Sequence, residues 1–287
     1  MRVSAPHDSV LRAMTDDGGF RVITARTTDT VRRAVEAQRA TGATARALGE
    51  LITGAVLYRE TMAPNLRVQS IIHGTGNEGQ LVADSLPSGG ARGLVRLPDG
   101  AKAVNVRPGA VLQMMRTLPR GDLHRGVVAV PESGTISDAL MVYMQESEQI
   151  VSMISVGCSI EGDRVKAAGG YVVQLLPELE EPMLAIMTQR LKDFRDVEQH
   201  FDTAAATPET LLDELLYSMP YTRLHHSDIQ FECACSEVRV MTTLASLPRS
   251  DIEELMRDGG DIEMTCDYCG MEYHVPPEQL RGLLEDS

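Results

Sequence analysis

Four of the five cysteines of this 287-residue chain fall in two tight pairs, Cys233-Ala234-Cys235 and Cys266-Asp267-Tyr268-Cys269, with thirty residues between them. Two short cysteine turns brought together supply four soft thiolates, the donor set of a closed tetrahedral zinc site. A catalytic zinc keeps one position for water, and four sulfurs leave none, so the spacing points to a structural centre. His225, His226 and His274 are alternative ligands nearby, each better read as an ordinary surface or packing histidine. The expected site is one Zn2+ per chain, held by Cys233, Cys235, Cys266 and Cys269. The same sulfurs carry a second chemistry. A disulfide across one intervening residue is strained and easily reduced, so a site that holds metal under reducing conditions can double as a redox switch.

Composition narrows the setting of that site. A module of about residues 229 to 287 is too small for its own core to stabilise it, so metal binding would supply folding free energy, on the order of 10 kcal/mol for structural zinc. The chain carries a net charge of −14, and its last 59 residues hold thirteen acids against four arginines. A nucleic-acid zinc ribbon needs a basic face for phosphates, so nucleic acid is not an expected partner. The opening residues, Met1 to Asp8, contain no apolar signal core, and no run of 18 apolar residues occurs, which predicts a cytoplasmic protein with no membrane partner. There thiols stay reduced, and paired cysteines indicate metal binding or redox sensing. The fifth cysteine, Cys158, sits in an apolar run and reads as a buried structural thiol. No catalytic or cofactor-binding residue stands out by spacing, so an enzyme is not expected.

The elements that must position the cysteines follow from patterning. Phe20 to Ala25 reads as a strand, and Asp29 as the N-cap of a helix bearing Val31, Ala34 and Val35. A second helix spans about Thr44 to Glu60. Strands follow at Leu66 to His73, Gly79 to Ser85, Gly93 to Leu97, Val111 to Thr117 and Gly126 to Val130. Gly74-Thr75-Gly76 lacks the Lys and Ser/Thr partners of a phosphate loop and reads as a turn. Ser137 or Asp138 starts a helix to Gln149, and apolar strands at Ile150 to Ile160 and Gly170 to Leu175 flank a turn at Glu161-Gly162-Asp163. From Glu178 the period becomes helical, with Met183, Met187, Leu191, Phe194, Val197 and Phe201 on one stripe. Thr207-Pro208 caps a further helix that buries Leu211, Leu212, Leu215 and Leu216. This helix pair is a spacer, or else a pair whose apolar stripe is covered only while the zinc module is docked.

Several segments resemble the redox-regulated holdase chaperones of the heat shock protein 33 family. They are Leu48-Gly49-Glu50, Ser147-Glu148-Gln149, the run from Ala167 through Gly169-Gly170-Tyr171 to Pro177, Phe231-Glu232-Cys233-Ala234-Cys235-Ser236, and Cys266-Asp267-Tyr268-Cys269-Gly270 with Tyr273. The resemblance covers almost the whole chain. It implies an α+β fold with an N-terminal α/β core (1–177), a helical linker (178–228) and a C-terminal zinc-binding redox-switch module (229–287). It also implies the mechanism: the reduced, zinc-bound form is inactive, and oxidation pairs Cys233 with Cys235 and Cys266 with Cys269. Zinc then leaves, the module and linker unfold, and apolar surface holds unfolding or oxidatively damaged clients without ATP, with homodimer formation on activation. The sequence departs from the family at Thr75, Leu94 and Thr135, which bears on the core surface and not on the cysteines. The competing reading is a constitutive zinc-ribbon interaction module without redox switching. A thiol oxidoreductase is disfavoured because all four candidate thiols are wanted as ligands.

Overall fold

The computed structural model describes residues 7–118, 121–203, 206–257 and 260–285. The opening segment through Pro6 and the last two residues of the 229–287 module lie outside them. The chain divides into two compact units, one ending at Glu232 and one starting at Cys233.

The first unit opens with β1 (Ser9–Thr15), β2 (Phe20–Arg26), α1 (Thr28–Ala37) and α2 (Gly42–Glu60). There follow β3 (Val68–His73), β4 (Gln80–Ser85), β5 (Gly90–Arg96), β6 (Val111–Thr117), β7 (Leu123–Ala129) and α3 (Ile136–Glu146). It closes with β8 (Ser152–Glu161), β9 (Arg164–Leu175), α4 (Glu181–Leu191), α5 (Pro208–Leu215), β10 (Tyr221–Asp228) and β11 (Gln230–Phe231). Two sheets result, a five-stranded one ordered β10-β1-β2-β9-β8 and a six-stranded one ordered β11-β5-β4-β3-β6-β7. Every pairing is antiparallel except β11 with β5.

Helix α2 lies between the sheets. Its buried side chains share one cluster with Val10, Ile23, Val156 and Val172 of the first sheet and with Ile72, Leu81, Leu112 and Met114 of the second. Helices buried all round lose their amphipathic signature; the stripe left unburied on α2 is Gly42, Ala43, Arg46 and Glu50. Close approach is bought with glycine at two contacts: a Cβ at Gly49 would stand 2.6 Å from the Cys158 sulfur, and one at Gly170 would stand 3.0 Å from Leu57.

The other face of the five-stranded sheet is apolar too. Leu11, Ala13, Phe20, Val22, Ala167, Tyr171 and Val173 bury against Met187, Leu191, Val197, Phe201, Leu211, Leu212 and Leu215 of the linker. The cover of the linker stripe is therefore the core's own sheet. The same packing explains why β9 reads as an unbroken apolar run: both of its faces are buried, so period-2 alternation disappears.

Four local expectations change. The stripe from Met183 to Phe201 is not one helix: α4 ends at Leu191, a 3-10 turn covers Lys192–Phe194, and a second covers Val197–Asp202. Between them Asp196 takes a non-helical conformation (φ −94°, ψ 63°), letting Val197 and Phe201 turn down onto the sheet. Asp29 is not the cap of α1; the N-cap is Thr27, and the buried Asp8 carboxylate accepts the Thr30 N–H (2.6 Å) from outside the helix. Tyr221–Asp228, the end of the 178–228 range read as helical, is a strand because β1 offers it a free edge. The segment Ser9–Thr15 is a strand that patterning did not mark. The Thr207 cap is as expected, its hydroxyl accepting from Thr210 N in a capping box with Pro208 in the first turn.

Candidate metal centre

The second unit contains α6 (Glu237–Ala245), α7 (Arg249–Leu255), β12 (Ile262–Thr265), β13 (Glu272–Val275) and α8 (Pro277–Glu285). Among the described residues its core has four buried apolar side chains, Leu244, Ile252, Val275 and Leu280, with a fringe of half-buried ones. So small a core calls for a staple.

Each cysteine pair is set by its flanking elements. Cys266 and Cys269 occupy the turn of the β12–β13 hairpin, where Cys266 N donates to Met271 O and Gly270 N to Cys266 O (both 2.9 Å). Gly270 closes that turn at φ +70°, a conformation that side chains disfavour. Cys233 and Cys235 lie just before α6, whose N-cap Ser236 accepts from Arg239 N, while the Arg239 guanidinium donates to Ala234 O (2.9 Å). One arginine thus ties the Cys-Ala-Cys loop to the first turn of the helix that follows it.

The four sulfurs converge. All lie within 4.8 Å of one another, with Cys233 3.7 Å from Cys266 and Cys235 3.3 Å from Cys269. A tetrahedron of sulfurs about 2.3 Å from a central ion has edges of about 3.8 Å, so the arrangement fits a single metal ion of zinc's size. The thiols oppose one another's ionisation. Burial pushes the Cys269 thiol up to about 12, the sulfurs of Cys235, Cys233 and Cys266 add to this, and the Met271 N–H works against it. A cation among them would reverse that penalty. Tyr273, on β13, has its phenol held above its ordinary range, first by its hydrogen bond with Cys235.

Among the described residues no histidine joins this group. His274 points to Glu263 (3.9 Å), His226 lies 3.7 Å from Glu209, and His225 pairs through its backbone with Arg12. Cys158 is fully buried on β8 against α2, and burial, then Glu50, pushes its thiol up to about 12. It is a packing thiol of low reactivity.

A second set of residues, for which no short motif stands in the sequence, fastens the linker to the sheet. Ser155 Oγ donates to Arg195 O (2.9 Å), Ser159 Oγ to Asp202 Oδ1 (3.2 Å), Lys166 Nζ to Asp202 Oδ2 (2.9 Å), and Tyr171 Oη to Phe194 O (3.4 Å). Gly157 of β8 and Gly169 of β9 face each other in register, leaving bare backbone where Glu198 and Phe201 sit. A Cβ on Gly169 would stand 2.3 Å from the Phe201 ring, so that glycine is a seat for the linker. The signal was in the pattern, serines at 155 and 159 alternating with apolar residues along one strand, but its meaning depended on a partner forty positions away.

The profile of the Hsp33 protein family matches residues 8–276. The chain belongs to the Hsp33 family. Its curated relatives include the 33 kDa chaperonin of Geobacillus sp. (strain WCH70), 31% identical over 96% of this chain and 97% of the relative. The 33 kDa chaperonin of Geobacter sulfurreducens is 30% identical, with coverage of 96% and 94%. The crystal structure of the 33 kDa chaperonin (heat shock protein 33 homolog) from Thermotoga maritima shares this fold, with a TM-score of 0.84, 24% identity, and 98% of this chain and 99% of that one covered.

The segments that carried the resemblance have physical roles in the fold. Gly49 admits Cys158, and Gly169 and Gly170 admit Phe201 and Leu57 on opposite faces of β9. Glu148 accepts hydrogen bonds from Tyr58 (2.7 Å), Tyr143 (3.1 Å) and Arg116 (2.7 Å), joining α2 to α3 and β6. The departures are accommodated locally. Thr135 caps α3, Thr75 donates to Arg107 O (3.3 Å) in the Gly74 turn, and Leu94 is buried on β5.

Proposed function

We propose that this chain is a redox-regulated, ATP-independent holdase chaperone whose reduced form holds zinc through Cys233, Cys235, Cys266 and Cys269 and is inactive. The observation that carries this reading is the pairing of two apolar faces. Among the described residues the linker stripe and one face of the five-stranded sheet are buried on each other, held at the rim by a few hydrogen bonds, and the chain continues from them through β10 and β11 into a unit with a small core. Membership of a family of chaperonin-named proteins supports the same reading.

Zinc, when bound, neutralises and gathers the four thiolates and so contributes folding free energy to the second unit. Arg239 and Ser236 hold one pair of sulfurs on α6, and Gly270 holds the other on the hairpin. Oxidation of four thiols to two disulfides gives up four electrons and four protons, which two molecules of hydrogen peroxide take up as four waters. The pairing proposed is Cys233 with Cys235 and Cys266 with Cys269. It rests on the family resemblance and not on the sulfur contacts, which run across the two motifs, Cys233 to Cys266 and Cys235 to Cys269.

Without its staple the second unit unfolds, β11 and β10 lose their downstream anchor, and α5 and the linker come off the five-stranded sheet. Fully burying each large apolar side chain is worth roughly 1.5 to 3 kcal/mol, so both uncovered faces seek a partner. Unfolding clients offer one and a second copy of the chain offers another, which gives the homodimer of the active form. In this reading 1–177 is the chaperone core, 178–228 the movable linker and 229–287 the switch. On the same reading the protein performs no catalysis and works in the cytoplasm. The test is zinc content and suppression of aggregation of a heated client, measured together before and after peroxide. The proposal expects zinc release and protection to rise in step. Equal protection in both states would instead indicate a constitutive zinc-ribbon binding module.

A further inference from the structure

The segment from Lys192 to Asp202 crosses the edge strand β8 as a strap, anchored by Val197 and Phe201. Between those anchors it carries Glu198, whose carboxylate lies flat on β8: a Cβ on Gly157 would stand 2.1 Å from its Oε2. That carboxyl lines a cavity of about 640 Å³ together with Glu50, which is half-buried at the end of the outward stripe of α2. Core and strap each supply part of the wall, Arg46, Asp138 and Tyr171 on one side and Arg195 and Asp196 on the other. Among the described residues neither Glu50 nor Glu198 has a hydrogen bond or an ion pair within 4.0 Å. Elsewhere on the strap, Asp202 pairs with Lys166 and accepts from Ser159, His200 lies 3.2 Å from Glu214, and Lys192 donates to Gln189, while the Arg195 and Phe194 carbonyls accept neutral hydrogen bonds. Docking the strap therefore brings a second acid toward an acid that nothing neutralises by contact.

We propose that Glu50 and Glu198 form a proton-dependent latch, in which the docked strap keeps a proton on the carboxyl pair and loss of that proton favours release. Two carboxyls in one partly dehydrated space resist double ionisation. Burial is the main cause that raises Glu50 to about 8 from an ordinary 4.5; of the facing groups, Arg46 on the same helix opposes it and Glu198 reinforces it. Once the strap leaves, Glu50 regains water and its ordinary acidity. The docked state thus binds the extra proton, so the latch contributes fully below the ordinary carboxyl range and is lost as pH rises through about 8. Alkalinity would loosen the strap while the four cysteines stay reduced and metal-loaded, which is an input separate from oxidation and independent of whether the chain acts as a chaperone.

Hydrogen exchange of the strap amides 194–202, corrected for intrinsic rates, in the full-length, reduced, zinc-loaded protein between pH 6 and 8 tests this. The opening constant is expected to rise roughly tenfold per pH unit over much of that range in the natural sequence. It should lose most of that slope in Glu50→Gln, which mimics the protonated side chain and should keep the strap closed at pH 8. Glu198→Gln provides the second arm should Glu50→Gln fold poorly. A flat profile in the natural protein overturns the proposal, and so does an undiminished slope in whichever variants fold.

Discussion

At the scale of single residues, the four cysteines converge within 4.8 Å of one another while their neighbours differ. Arg239 and Gly270 hold the two turns, and Cys158 lies apart, buried on β8. Cys266→Ser should reduce zinc content well below one per chain in carefully reduced protein, because three sulfurs leave the tetrahedron open. Cys158→Ala should leave it at one and cost on the order of 1 kcal/mol in stability through the small cavity it creates. Metal analysis of both variants checks this, and zinc retained in full by Cys266→Ser would remove it from the ligand set. Peptide mapping after peroxide tests the disulfides: links of 233 to 235 and 266 to 269 are expected, and mainly 233-to-266 links would contradict the pairing.

At the scale of elements, the decisive object is the strap with α5, seated on a sheet face that is as apolar as the interior. Phe201 fits over Gly169 and is almost fully buried. Phe201→Ala should weaken the docking by about 3 kcal/mol, toward the low end for truncating a buried aromatic ring. The reduced, zinc-loaded variant should then bind more hydrophobic dye with unchanged metal content, and unchanged dye binding would mean that this ring does not hold the strap. Much of this level was legible in the sequence. Strands with flanking Gly and Pro, such as Val111–Thr117, and the Thr207-Pro208 cap could be read directly because local chemistry decides them. The break at Asp196 and the strand nature of Tyr221–Asp228 could not, because a distant sheet imposes both. The same holds for the metal centre. Its ligand types were visible in two short motifs, whereas Arg239 on Ala234 and the seats at Gly157 and Gly169 exist only once separate segments meet.

At the scale of the whole molecule, the two units differ in what holds them. The first has an extensive core around α2, and the second has four buried side chains and a set of sulfurs. A switch follows if the weaker unit fails first and the linker follows it, since the chain runs from Cys233 directly back into β11, β10 and α5. Light scattering after oxidation should report a dimer where the reduced form shows less association, because the faces uncovered on release are large and apolar. The coupling itself is tested most directly without any oxidant, by comparing hydrogen exchange in the reduced natural protein and in Cys233→Ser/Cys235→Ser, alongside protection of a heated client. The account predicts that the zinc-free variant exchanges faster across 181–216 as well as 233–285 and suppresses aggregation without peroxide. Faster exchange confined to 233–285, with no gain in client protection, would contradict it.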